Sequence, residues 1–152
     1  MSESKVSPPI FYHSLYRHGV DEKRRLQIPA KWRAEGEVTF SLLLWKKGGQ
    51  PPCILVLPPG RMIALAQKLS EMPFSDPKAE ALRRLLGAES DHVTLDKAGR
   101  ICLPEPMAEV AGIEKEAVLV GMVDRFQIWN SKYHKAANKV DEALREEAYK
   151  LI

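Results

Sequence analysis

The stretch "VDEKRRLQIP", residues 20–29, sets an acid, three consecutive basic residues and a strand-like apolar alternation within ten positions. Farther along, "LDKAGRICLP", residues 95–104, repeats the device: an acid, a basic residue four places on, and a proline four places after that. Aligned, Asp21 falls on Asp96, Arg25 on Arg100 and Pro29 on Pro104, all at one offset of 75, close to half of the 152-residue chain. One such loop is an ordinary charged turn whose surface ion pair is worth ~0–1 kcal/mol. Two at one offset point to an internal duplication, which takes precedence over any other fold argument.

The residues after each copy support the duplication. After Pro29, "AKWRAEG" reads as a short helix with proline at an acceptable first-turn position and a glycine to end it, and "EPMAEVAG" after Pro104 reads the same way. "VTFSLLLW" and "CILVLP" then form a hairpin around "KKGGQPP", matched by "AVLVGM" and "FQIWN" around "VDR". On this alignment Trp45 and Trp129 occupy matching places, with packing as their role. Each half closes with a helix: "GRMIALAQKLSEM" puts Met62, Leu65, Ala66 and Leu69 on one face, and "SKYHKAANKVDEALREEAYKLI" does the same with Tyr133, Ala137, Val140 and Leu144. Between the halves a connector helix over about 77–86 is opened by Asp76 as cap and Pro77 at the first position; it carries Leu82, Leu85 and Leu86 and stops at Gly87.

Each unit is strand, loop, strand, short helix, hairpin, helix. Strands this short cannot bury themselves alone, so the two units, 1–75 and 76–152, must pack together. The expected class is α+β, an intrachain pseudo-twofold sheet or barrel flanked by helices.

Composition sets wide bounds. With 45% apolar and 28% charged residues the chain has the make-up of an ordinary globular protein, and its net charge of +3 permits nucleic-acid binding without demanding it. Cys53 and Cys102 lie far apart with no C-x-x-C spacing, which reads as reduced core thiols rather than a disulfide or zinc site. "MSESKVSPP" is polar, lacking the apolar core of a signal peptide, and "FSLLLW" is too short to cross a bilayer; the expected address is cytosolic. His13, His18, His92 and His134 show no metal-ligand spacing, and neither G-x-x-x-x-G-K-[ST] nor G-x-S-x-G occurs. Neither an enzyme nor a cofactor is expected.

The informative residues sit in and beside the two loops. Lys23, Arg24 and Arg25 follow Arg17 and His18, while Lys31 and Arg33 come just after; pseudo-symmetry would put Lys97 and Arg100 on the same face. Such a face can neutralise phosphates, and arginine can bridge two acceptors on guanine in the major groove. A carboxylate on that face is explained if Asp21 and Asp96 hold the guanidinium four residues on.

The duplicated D-x-x-x-R motif, as "DEKRR" and "DKAGR", the phrase "HSLYRHGVDEKRRLQIPAKWR", and "VLVGMVDRFQIWN" before a terminal helix resemble the MraZ family. The resemblance covers nearly the whole chain. It implies a tandem pair of AbrB-like (SpoVT-AbrB) swapped-hairpin, double-split β-barrel units interleaved within one chain. It also implies a transcriptional regulator, typically a repressor, of the division and cell wall gene cluster promoter, acting in the cytoplasm at the nucleoid as a ring-shaped homo-oligomer on short repeats in double-stranded DNA. Carried over by residue, the motif falls on Asp21 and Arg25, and on Asp96 and Arg100. With their basic neighbours Arg17, Lys23, Arg24, Lys31 and Lys97 they form the expected DNA-binding set. The second copy keeps the family's usual ending as Gly99 and Arg100; the first has Arg24 where glycine, tolerant of positive φ, usually stands. The competing reading is a protein-interaction module that modulates a neighbouring enzyme without DNA, using the charged terminal helix from Asp141 to Lys150 as its docking face.

Overall fold

The computed structural model describes residues 10–152, so "MSESKVSPP" lies outside the described residues. In chain order come β1 (Leu15–Gly19), β2 (Arg25–Gln27), a 3-10 turn (Ala30–Trp32), β3 (Thr39–Trp45), β4 (Cys53–Leu57), α1 (Pro59–Ser70) and α2 (Pro77–Ala88). After these come β5 (Ser90–Thr94), β6 (Arg100–Cys102), α3 (Glu105–Val110), β7 (Glu116–Gly121), β8 (Phe126–Trp129) and α4 (Ser131–Tyr149). The class is α+β.

The strands form a six-stranded antiparallel sheet in the order β1-β7-β8-β4-β3-β5 and a two-stranded ribbon of β2 with β6. The sheet order reads the same from either end once β1 is exchanged for β5, β3 for β7 and β4 for β8. The registers obey the same exchange: Leu15 faces Val120 and Gly19 faces Glu116, while Ser90 faces Leu43 and Thr94 faces Thr39. The strand leading into each motif therefore pairs with the hairpin that comes after the other motif. Where the two hairpins meet, β4 and β8 are symmetric about the pair Leu55 and Gln127.

Burial explains why the elements hold. β4 is buried at all five positions, as expected of a central strand covered on both faces. One core joins Leu26, Ile28, Ile101 and Leu103 from the ribbon region to Trp32, Phe40 and Phe126, whose rings meet edge-on or tilted. A second packs Met62, Leu65 and Leu69 of α1 and Leu82, Leu85 and Leu86 of α2 against Leu43, Leu55 and Leu57. Asp76 caps α2 by accepting from the Lys78 N–H at 2.9 Å, and Asn130 caps α4 by accepting from Lys132 and Tyr133.

Several expectations need correction. The segment after Pro29 makes only a 3-10 turn, whereas its counterpart after Pro104 makes the α-helix α3. α2 passes through Gly87 to Ala88; Gly87 keeps negative φ, and Glu89 closes the helix by donating to the Leu85 carbonyl at 3.3 Å. Ala66 is exposed, as are Val140 and Leu144, so only the first half of α4 seats on the sheet, through Tyr133 and Ala137. Trp45 and Trp129 are not counterparts: Trp45 ends the first strand of its hairpin and is exposed, Trp129 ends the second strand of the other and is buried. Cys53 is buried, but Cys102 is exposed on the ribbon.

Candidate nucleic-acid interface

The ribbon places the motifs. In its register Arg25 faces Cys102, Leu26 faces Ile101 and Gln27 faces Arg100. Because side chains alternate along a strand, Leu26 and Ile101, each fully buried, point into the core, while Arg25, Gln27, Arg100 and Cys102 share the outward face. Arg25 and Arg100 are diagonal neighbours there, with backbones about 7–8 Å apart by antiparallel geometry.

Each of these two arginines is held by its own aspartate. In loop one (residues 20–24) Oδ1 of Asp21 accepts from the backbone N–H of Lys23 at 2.9 Å and of Arg25 at 2.8 Å, and Oδ2 accepts from Arg25 Nε at 2.6 Å. In loop two (residues 95–99) Oδ1 of Asp96 accepts from Ala98 and Arg100, both at 2.9 Å, and Oδ2 accepts from Arg100 Nε at 3.1 Å. The backbone repeats too: Asp21 N–H donates to Arg25 O and Arg24 N–H to Asp21 O, as Asp96 does to Arg100 and Gly99 to Asp96. The tightness of the turn demands positive φ at its fourth residue, 80° at Gly99 and 62° at Arg24. Arg24 thus adopts the glycine conformation despite its side chain, and the two loops have one shape.

The loops also grip each other's strands. Ile28 N–H donates to Gly99 O at 2.9 Å and Leu103 N–H to Arg24 O at 2.8 Å; the Gln27 side chain donates to Ala98 O, and Cys102 Sγ, its counterpart, to Lys23 O. The site is therefore one unit made by both halves.

Hydrogen bonds from the Arg25 and Arg100 backbones, followed by their guanidinium contacts, hold the Asp21 and Asp96 carboxyls below the usual carboxylate value. Both stay ionised at neutral pH. With Nε committed to aspartate, the Nη groups of Arg25 and Arg100 have no partner among the described residues, and both side chains are about one-third exposed, 36% and 33%. The result is a pair of oriented donor forks on a narrow, outward ribbon face.

The remaining expected residues divide. Lys23 and Lys97 are exposed in loops one and two, and Lys31 is exposed on the 3-10 turn. Arg24 points back into the fold, donating from Nε to Leu103 O at 3.1 Å, so it is not a free surface cation. Arg17 is not gathered with the loops: it lies on β1 and donates to Ser131 Oγ at the start of α4. The structure adds Lys115, which lines a shallow depression with Asp21, Lys23 and Arg25 and accepts the Val20 N–H at its carbonyl. It escaped sequence reasoning because the pairing of β1 with β7 alone brings it there. Gln27 and Cys102 were likewise missed; period-two alternation within the motif strands would have found them. Among the described residues no group of three or more His, Cys, Asp or Glu side chains is arranged to hold a metal. No helix there is long and apolar enough to cross a membrane.

Comparison with known proteins sets this geometry in a family. Residues 86–151 match the family model described as "MraZ protein, putative antitoxin-like". The Transcriptional regulator MraZ of Thermomicrobium roseum is 36% identical over 119 residues, covering 76% of this chain and 78% of that protein. The chain belongs to the MraZ family. The MraZ proteins of Moorella thermoacetica, 35% identical over 135 residues, and of Desulfitobacterium hafniense, 34% over 139, extend the likeness to 86% and 90% of this chain and 92% and 94% of theirs. The segment matched by the MraZ model begins within α2 and takes in loop two, the second hairpin and α4 up to Tyr149.

Proposed function

We propose that this chain is a sequence-specific DNA-binding transcriptional regulator that reads double-stranded DNA with the outward face of the β2–β6 ribbon. The observation that carries this reading is the mirrored pair of aspartate-held arginines, Arg25 and Arg100, with unpartnered Nη donors on one face. A two-stranded ribbon fits the major groove, and a fixed guanidinium matches the O6 and N7 acceptors of guanine. Lys23, Lys97, Lys31 and Lys115 supply flanking charge for phosphates. The name carried by the relatives, transcriptional regulator, agrees with this reading.

The finer features belong to the same proposal. Residues 1–75 and 76–152 are tandem AbrB-like swapped-hairpin repeats; the cross-half strand pairing and the ribbon symmetric about Leu26 and Ile101 support this division. The chain acts as a homo-oligomeric ring on short repeated boxes in the division and cell wall cluster promoter, as a repressor, in the cytoplasm at the nucleoid. One ribbon offers few base contacts, and linking several raises effective concentration on neighbouring boxes.

Footprinting the protein on the DNA upstream of its own gene tests the reading. Protection of evenly spaced short repeats is expected, with affinity falling by about 0.9 logarithmic unit per phosphate contact for each unit of log salt. Uniform or absent protection would overturn it.

A further inference from the structure

Each motif loop is flanked by one guanidinium, but the two halves supply it from different places. In the first half it comes from the loop: Arg24 donates from Nε to Leu103 O, and its own carbonyl accepts the Leu103 N–H, a two-point clamp on the strand end. In the second half the corresponding residue is Gly99, which has no side chain. The space above it is filled by Arg33, which comes just after the 3-10 turn: a Cβ at position 99 would collide with Arg33 Nη1 and lie 2.7 Å from its Cζ and 2.9 Å from Gln27 Nε2.

The counterparts complete the exchange. At the offset of 75 that relates Arg24 to Gly99, Arg33 corresponds to Ala108. Ala108 is buried and lines a depression together with Arg24. Each crossing therefore holds one arginine against one small residue, Arg24 with Ala108 and Arg33 with Gly99, with the roles reversed.

We propose that Arg24 and Arg33 are positioning residues with one shared job, bracing loop one and loop two respectively so that Arg25 and Arg100 present equivalent donor forks. Arg24 is then not an added DNA contact but the first loop's own replacement for the guanidinium that Arg33 lends to the second. A second arginine at this crossing has room only if Arg33 swings out of its place over loop two, and with neither arginine the loop loses the guanidinium packed against it. The consequence for DNA rests on the proposed function above; the packing itself does not.

The test is a cycle on the full chain with R33A, G99R and the pair R33A/G99R, read by thermal unfolding and by affinity for the upstream DNA. Arginine tolerates the backbone, since Arg24 already holds a φ of 62°. G99R alone should lower the unfolding midpoint by on the order of 5 °C, because Arg33 and Gln27 must be displaced and a side chain is placed at a φ of 80°. R33A alone should weaken DNA binding about fivefold, because loop two loses the guanidinium packed over Gly99, a contact of packing and not of hydrogen bonding. The double variant, which gives loop two the arrangement of loop one, should recover most of the midpoint lost in G99R and bind within about twofold of the wild type. Additive losses in the double variant would overturn the exchange. Recovery of the midpoint without recovery of binding would overturn the positioning role. If the wild type bound no DNA, the unfolding cycle would still decide the exchange, and only the proposed function would fall.

Discussion

Leu26 faces Ile101 at the centre of the ribbon, both fully buried, and the contacts of one motif loop around this pair are repeated by the other. The pair is the hinge of the local symmetry: one residue away on either side stand Arg25 and Gln27 on one strand, Arg100 and Cys102 on the other. Replacing Leu26 by alanine opens a cavity where both strands meet and should cost about 2–5 kcal/mol. Denaturant unfolding would measure it, and a loss under about 1 kcal/mol would contradict the packing described.

The carboxylates make the motif pH-dependent at its acidic end. Asp21 and Asp96 have folded values below the ordinary 3.8, first through the backbone N–H of the arginine four residues on and then through its guanidinium. Their contribution to stability is complete above the unfolded value, near 3.8, and is lost as pH falls through the lower folded values. Carbon-13 titration of the two carboxyls should give midpoints below 3.8 for both; a midpoint at or above that value for either would contradict the clamp.

Gly121 is required by a close backbone crossing. It donates its N–H to Ser14 O at 2.9 Å, and a Cβ there would collide with the Tyr12 carbonyl, reaching its carbon at 2.7 Å. A carbonyl fixed by the Tyr12–Val123 bridge cannot swing aside as a side chain would. Gly121→Ala should therefore destabilise by about 1–3 kcal/mol, against a near-neutral result at Gly60, where a Cβ meets open space. Equal denaturation midpoints for the two variants would refute this.

The two thiols should behave differently. Burial pushes the Cys53 thiol up to about 12, whereas Cys102 is exposed on the outward face of the ribbon beside the Lys23 carbonyl. A maleimide should label Cys102 in the native protein and spare Cys53 until unfolding, as mass spectrometry would report. The added bulk should also weaken DNA binding; native labelling of Cys53 would contradict its burial.

Much of this was legible in the sequence because it is local. The D-x-x-x-R turn is held by bonds that all fall within five residues, so matching Asp21 to Asp96 sufficed to expect two equal clamps. The helix start at Asp76 and the two hairpins also come from nearby residues. Strand partners do not: β1 pairs across about a hundred positions with β7, and only that pairing sets Lys115 beside loop one and turns Arg17 towards Ser131. Arg24 shows the limit most clearly. Its charge suggested a phosphate contact, but the reach of its Nε to Leu103 depends on β2 lying against β6.

The central claim is that two equivalent, aspartate-held arginines read DNA from one ribbon. It is tested most directly by measuring affinity for the upstream DNA with Arg25→Ala and Arg100→Ala as separate single substitutions. Each should cost about 1–3 kcal/mol of specific binding, with comparable losses for the two and no change in unfolding midpoint beyond that of an exposed ion pair. Unchanged binding in either variant would contradict the account.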